Sequence, residues 1–136
     1  MEIYSTSIVG LVLVCLIPII LANVVGPMKG KAKQIGGPVA DARDENPLFR
    51  MDRTHVNSVE SIPIFAVIAI LGMLAGIGAW WLGLFVWVFL AARIAYTIIY
   101  LRGGPLGRGG SLRTVLHVLG SLATVGVAVT TILCVL

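Results

Sequence analysis

Polar side chains that could do chemistry are grouped at a few places in a chain that is otherwise strongly apolar. The first group is Arg50, Arg53, Asn57 and Glu60, which follow one another at intervals of three, four and three residues. On a helix these intervals place all four side chains on one stripe. Because the stripe combines cations, an amide and a carboxylate, it predicts one shared ligand site.

Two further groups repeat this pattern near the ends of other apolar stretches. Arg93, Tyr96 and Tyr100 are spaced three and four residues apart, and Arg113 and His117 are four apart. Arginines attract carboxylates or phosphates, and a carboxylate attracts an ammonium group. Three helices with polar stripes at the same depth therefore predict a site for a small zwitterion with more than one carboxylate.

Taken singly, these residues also have simpler interpretations. Arginines near span ends are typical of side chains that extend to lipid headgroups, which applies to Arg50, Arg53 and Arg113. Glu60 is the only acidic residue inside a span and could instead form a structural ion pair with Arg93. Packing, capping or membrane-interface roles remain open for the others: His55, Tyr96, Tyr100 and His117.

The elements that position these residues are predicted membrane spans. Of the 136 residues, 58% are hydrophobic and 12% are charged, whereas a soluble domain carries about 25% charged residues. A transmembrane helix needs about 20 apolar residues, and the sequence offers four such stretches, at about 5–25, 55–77, 80–101 and 112–136. These spans predict an all-α integral membrane protein, a four-helix subunit in which residues 1–136 form one membrane domain.

The distribution of basic residues predicts the topology. All ten Lys and Arg residues lie in the predicted loops 26–54 and 102–111 or in the helical turns next to them. By the positive-inside rule these loops are cytoplasmic, so both termini face away from the cytoplasm and the polar site lies toward it. With the basic residues explained by topology, nucleic-acid binding is not predicted. Cys15 and Cys134 show no metal-ligand spacing, so no metal is predicted.

The polar groups resemble the signature of a known family. The run of residues 50–63, RMDRTHVNSVESIP, is similar to the second helix of the MAPEG family, the membrane-associated proteins in eicosanoid and glutathione metabolism, with its Arg-x-x-Arg-x-His-x-Asn-x-x-Glu pattern and following proline. Residues 93–100 resemble its Arg-x-x-Tyr-x-x-x-Tyr segment, with Tyr96 as in the leukotriene-forming branch. Leu112, Arg113 and Thr114 match the arginine that opens its fourth helix.

This resemblance implies a homotrimer that binds glutathione, as co-substrate, between neighbouring subunits. It implies that Glu60 binds the amino group of glutathione, and that Arg113 and Tyr100 are catalytic, with Arg113 beside the sulfur. Lys29 would replace an arginine that the family supplies from the adjacent subunit. The full set of glutathione-binding residues implied in this way is Lys29, Arg50, Arg53, Asn57, Glu60, Arg93, Tyr96, Tyr100, Arg113, Thr114 and His117.

The implied activity is conjugation of glutathione to lipophilic electrophiles, with reduction of lipid hydroperoxides as a related activity, in detoxification or eicosanoid-like lipid metabolism. Val56 and His117 stand where some prostaglandin-forming members have arginine and tyrosine, so general glutathione transfer is favoured over isomerisation. Two alternatives are a non-catalytic lipid-binding scaffold of the same family and a small four-helix transporter subunit. The transporter class relies on a carboxylate in the first span, and 5–25 contains none.

Overall fold

The protein is described by a computed structural model over residues 2–103 and 111–136, and all regular structure in these ranges is helical. A short 3₁₀ turn, Glu2–Tyr4, leads into α1, Ser5–Lys31. The chain continues with α2, Pro47–Leu74, α3, Ala79–Arg102, and α4, Ser111–Val135. All four helices are long and apolar enough to cross a membrane. The chain is therefore a multi-pass membrane protein with a four-helix fold.

The first two helices extend into the long loop that the sequence predicts between them, while α2 ends at Leu74 rather than at 77. The α2 helix begins at Pro47, where the Asn46 side chain accepts a hydrogen bond from the Leu48 N–H at 3.0 Å, a capping arrangement with proline at the first helical position. The α1 helix continues to Lys31, so the connection spans 32–46 rather than 26–54. The change in composition that suggested a loop therefore begins within α1, because a polar sequence can also continue a helix.

The connection between α2 and α3 is a tight turn at 75–78, which includes Gly76 in the left-handed region with φ 79°. Glycine adopts this conformation without the steric cost that a side chain would add. The Tyr4 hydroxyl donates to the Ile77 carbonyl at 2.6 Å, which ties the start of the chain to this turn. This hydrogen bond closes the end of the bundle opposite the polar stripes.

Close helix packing holds that end of the bundle together. The Phe65 and Phe89 rings stack with centroids 3.8 Å apart. A Cβ added at Gly126 would lie 2.5 Å from the Phe85 ring. Because lipid tails are as apolar as these side chains, helix association in a membrane depends on close contacts between small residues and their neighbours. The packed end fixes the helices, and their opposite ends carry the polar side chains.

Candidate functional site

Tyr100 and Arg113 meet around the carboxylate of Asp44. The Tyr100 hydroxyl donates to Asp44 Oδ1 at 3.0 Å, and Arg113 Nη1 donates to Asp44 Oδ2 at 3.2 Å. The guanidinium carbon of Arg113 lies 4.5 Å from the centroid of the Tyr100 ring. The two residues predicted to be catalytic thus hold one anion together, and that anion comes from a loop residue that sequence reasoning missed.

Arg50 holds the loop that carries Asp44. Its Nη1 donates to the backbone carbonyls of Asp44 and Glu45 at 2.6 and 3.0 Å. Gly103 leaves room for the guanidinium, because a Cβ there would lie 3.0 Å from Arg50 Cζ. In this structure Arg50, which the sequence assigns to a ligand, positions the loop over the ends of α3 and α4.

Hydrogen bonds within the loop 32–46 add to this support. Arg43 Nε donates to Asp41 Oδ1 at 2.6 Å, and the Asn46 side chain donates to the Asp41 carbonyl at 2.9 Å. The hydrogen bond from Arg43 lowers the pKa of the Asp41 carboxyl. Asp41 therefore keeps its charge and its pairing with Arg43 below the pH at which an isolated aspartic acid becomes protonated.

Asn57 connects the stripes on α2 and α3. Its Nδ2 donates to the Tyr96 hydroxyl at 2.9 Å, and its Oδ1 accepts from Arg93 Nη1 at 3.2 Å. Tyr96 and Arg93 are both buried. The helical spacing of these residues therefore brings them together. Both the nitrogen and the oxygen of the Asn57 amide form hydrogen bonds with them.

A cavity of about 160 Å³ lies against this cluster. The Tyr96 and His117 rings at its edge have centroids 6.5 Å apart. Its lining combines a cation, a phenol, an amide, an imidazole and a hydroxyl, and it consists of five of the predicted site residues: Asn57, Tyr96, Arg113, Thr114 and His117. A ligand with both anionic and hydrogen-bonding groups suits this lining.

The remaining predicted residues lie elsewhere. Glu60 is exposed and makes no ion pair with any residue that the structure describes, so the alternative Glu60–Arg93 pair does not form within the chain. Lys29 Nζ bonds to Asp52 Oδ1 at 2.8 Å and to the Gly37 carbonyl at 2.6 Å. Lys29 lines a cavity of about 530 Å³ together with Asp52, Arg53 and His55. The predicted set is therefore divided between two faces of α2.

Metal ligands are not grouped in the described ranges. Over 2–103 and 111–136, no cluster of three His, Cys, Asp or Glu side chains has the geometry to hold a metal ion. Cys15 and Cys134 are free and exposed.

A model of the MAPEG family matches residues 6–133. The chain belongs to the MAPEG family. This confirms the family that the motifs predicted and, with the four helices, the four-helix MAPEG fold. Membership identifies a membrane protein of the family concerned with glutathione and eicosanoid metabolism, which contains glutathione transferases as well as non-catalytic members.

Proposed function

We propose that the protein is a membrane-bound glutathione transferase that forms the thiolate of bound glutathione and conjugates it to lipophilic electrophiles. The observation that carries the proposal is the pairing of Arg113 and Tyr100 with one carboxylate at the edge of the 160 Å³ cavity. This arrangement binds an anion and has hydrogen-bonding groups beside it. MAPEG membership supports glutathione as the ligand, because it has two carboxylates, an ammonium and a thiol.

The peptide, the ammonium and the sulfur of glutathione each have a candidate partner. Asn57 and Tyr96 offer hydrogen bonds to the peptide, and the exposed carboxylate of Glu60 suits the ammonium. The positive charge of Arg113 suits the sulfur of glutathione in its thiolate form. Arg113 also contacts Asp44 at 3.2 Å, so glutathione would have to displace Asp44 or share the guanidinium with it.

A homotrimer would complete this site. Glu60 and Arg53 are exposed on α2, and a charged side chain exposed to lipid is costly. A neighbouring subunit that covers them would remove this cost. The cavity around Lys29 would then lie beside the Arg113 cavity of the next subunit, and both would open toward the cytoplasmic side.

The chemistry begins with the thiol. A free cysteine thiol has a pKa of about 8.5, so only a few per cent is thiolate at neutral pH. A guanidinium within about 4–6 Å lowers such a pKa by roughly 1–3 units, and Arg113 provides this charge without acting as a base. The thiol proton leaves to solvent, and the thiolate forms a carbon–sulfur bond as the leaving group departs with its electron pair.

The same thiolate supports peroxidase activity. It attacks the terminal oxygen of a lipid hydroperoxide, and the O–O bond breaks to give a lipid alcohol and glutathione sulfenic acid. A second glutathione then forms the disulfide and releases water. The hydroperoxide is reduced and two thiols are oxidised, so no further reductant is needed.

Isothermal titration of the detergent-solubilised protein with glutathione, paired with a conjugation assay on chlorodinitrobenzene, tests the proposal. Wild-type protein is expected to bind and conjugate glutathione, and Arg113→Ala to lose most conjugation. Arg102→Ala is the matched control, because Arg102 is exposed at the end of α3 and has no hydrogen bond or ion pair with the described residues. Absence of glutathione binding to the wild-type protein would refute the proposal in favour of a scaffold or transporter.

A further inference from the structure

His117 lies where two cavities meet. Among the described residues it is the one that lines both the cavity of about 160 Å³ beside Arg113 and a second cavity of about 240 Å³ formed by α2, α3 and α4. His117 is exposed, and its imidazole is next to the Tyr96 ring, with centroids 6.5 Å apart. The His117 backbone carbonyl accepts a hydrogen bond from Ser121 at 3.0 Å, but the imidazole makes none with the described residues. The imidazole is therefore available to groups in either cavity.

The other ionisable groups that line these cavities hold their protons at neutral pH. They are Arg93 and Tyr96 on α3 and Arg113 on α4, while α2 contributes only uncharged side chains to the described lining. Asp44, which pairs with Arg113, lines neither cavity. A guanidinium is not deprotonated in proteins, and a phenol ionises near pH 10, whereas histidine exchanges its proton between pH 5 and 8. His117 is therefore the group in this lining that suits proton transfer at neutral pH.

The second cavity can supply protons to His117. Three hydroxyl groups in its lining donate to carbonyls of their own helices, which leaves their oxygens as acceptors: Ser61, Ser121 and Thr124. Arg93 Nε, a donor, has no partner among the described residues. Buried water needs enough room and two to four polar partners, and this cavity meets both conditions. Water there can deliver a proton to one imidazole nitrogen while the other nitrogen donates a proton on the Arg113 side.

Two classes of electrophile differ in whether they need such a proton donor. An aryl chloride loses chloride, a stable anion that departs without a proton. A hydroperoxide loses an alkoxide, which is a strong base and departs readily only when it is protonated. A positioned general acid contributes about 10²–10⁴-fold to the rate of such a step. A proton donor at the edge of the Arg113 cavity would therefore accelerate hydroperoxide reduction and leave chloride displacement unchanged.

We propose that His117 is the general acid that protonates the leaving oxygen of a hydroperoxide when the bound thiolate reduces it. This inference rests on the proposed function and adds a catalytic residue to its peroxidase reaction. The sulfur attacks the terminal oxygen, the O–O bond breaks, and the departing alkoxide takes a proton from the imidazolium of His117. The products are an alcohol, glutathione sulfenic acid and neutral imidazole, which regains a proton from water in the second cavity. That proton replaces the one that the thiol released to solvent, so atoms and charge balance.

The test compares two electrophiles on the same detergent-solubilised protein with glutathione: cumene hydroperoxide, which loses an alkoxide, and chlorodinitrobenzene, which loses chloride. His117→Gln keeps a polar side chain that cannot transfer a proton. We expect it to lower kcat/KM for cumene hydroperoxide at least about 100-fold and to change kcat/KM for chlorodinitrobenzene less than about threefold. Added imidazole should partly restore hydroperoxide reduction by His117→Ala. Val118→Ala is the matched control, because Val118 is exposed on α4 and lines neither cavity.

The pH dependence of the two reactions provides a second measurement. Both reactions need the thiolate, so the ratio of the hydroperoxide rate to the chlorodinitrobenzene rate cancels the thiolate fraction. In the wild-type protein this ratio should fall between about pH 6 and pH 9, because the imidazolium loses its proton over this range. In His117→Gln the ratio should not change with pH.

The outcomes separate this inference from the proposed function. Equal losses with both electrophiles in His117→Gln would overturn the inference and assign His117 to glutathione binding. Wild-type protein that conjugates chlorodinitrobenzene but does not reduce cumene hydroperoxide, or a rate ratio with the same pH dependence in both proteins, would also overturn it and leave the proposed function standing. Wild-type protein that neither binds glutathione nor conjugates chlorodinitrobenzene would refute the proposed function and, with it, the inference.

Discussion

Arg113→Ala tests the activation step most directly, because its effect should depend strongly on pH. Arg113 holds the Asp44 carboxylate at 3.2 Å, which shows the distance at which it can hold an anion. Two unit charges about 4 Å apart interact by about 4 kcal/mol at an effective dielectric constant of about 20. The Arg113 side chain is 27% exposed, so water screens part of this charge–charge interaction. We therefore expect Arg113 to lower the thiol pKa by about two units, within the usual range of roughly 1–3.

The size of the effect follows from this shift. With Arg113, the thiol pKa falls from about 8.5 to about 6.5, and roughly 75% of bound glutathione is thiolate at pH 7. Without Arg113 the fraction is about 3%, so conjugation at pH 7 should fall about 25-fold. At pH 9 the fraction of bound glutathione that is thiolate differs by only about 1.3-fold between the two proteins. Arg113→Lys should lie between them, because it keeps a charge and loses the planar fork.

A pH titration of the protein with bound glutathione measures the thiol pKa through thiolate absorbance near 240 nm. Conjugation rates at pH 7 and pH 9 provide an independent check of that pKa. Arg102→Ala controls for the loss of a positive charge elsewhere at the same end of the bundle. If Arg113→Ala lowers glutathione affinity and leaves the thiol pKa unchanged, Arg113 binds a glutathione carboxylate, and the activation argument fails.

Four further predictions concern the same protein. Asp44→Asn should lower the thiol pKa and tighten glutathione binding, because it removes the anion that Arg113 now holds; a raised thiol pKa in the same absorbance titration would show that Asp44 assists activation. Glu60→Gln should weaken glutathione binding by about 1.5–3 kcal/mol in isothermal titration with little change in thermal stability, whereas lost stability with intact affinity would indicate a structural role. Gly126→Ala should destabilise the bundle by about 1–3 kcal/mol in thermal unfolding, since its Cβ would lie 2.5 Å from Phe85, while Gly26→Ala, with nothing within 4 Å, should not. Native mass spectrometry in mild detergent should show trimers, and monomers alone would contradict the proposed assembly.

Regular spacing explains what the sequence could predict about this site. Asn57, Arg93 and Tyr96 meet because each lies on the polar stripe of a helix, and helical periodicity determines which side chains share a stripe. The stripes also lie at one end of the bundle because consecutive spans must run in opposite directions. Periodicity and composition are therefore sufficient to predict the four-helix fold and the polar stripes at one end of it, whereas the pairing of Asn57 with Arg93 was not predicted.

The contacts that the loop 32–46 makes with the site could not be predicted in the same way. Asp44 contacts Tyr100 and Arg113, which are 56 and 69 residues further along the chain, and no periodic pattern connects a loop residue to such partners. Arg50 fits the stripe on α2 equally well as a ligand-binding residue or as the support for this loop. Only the path of the chain through 32–46 decides between these roles.

Arg93, which contacts Asn57, and Arg113, which lines the cavity beside it, differ in how their charges are balanced. Arg113 is partly exposed and already bound to Asp44, so anion binding there exchanges one partner for another and costs little desolvation of the guanidinium. Arg93 is buried and has no such partner among the described residues, so an anion that reaches it compensates a charge that the protein has already desolvated.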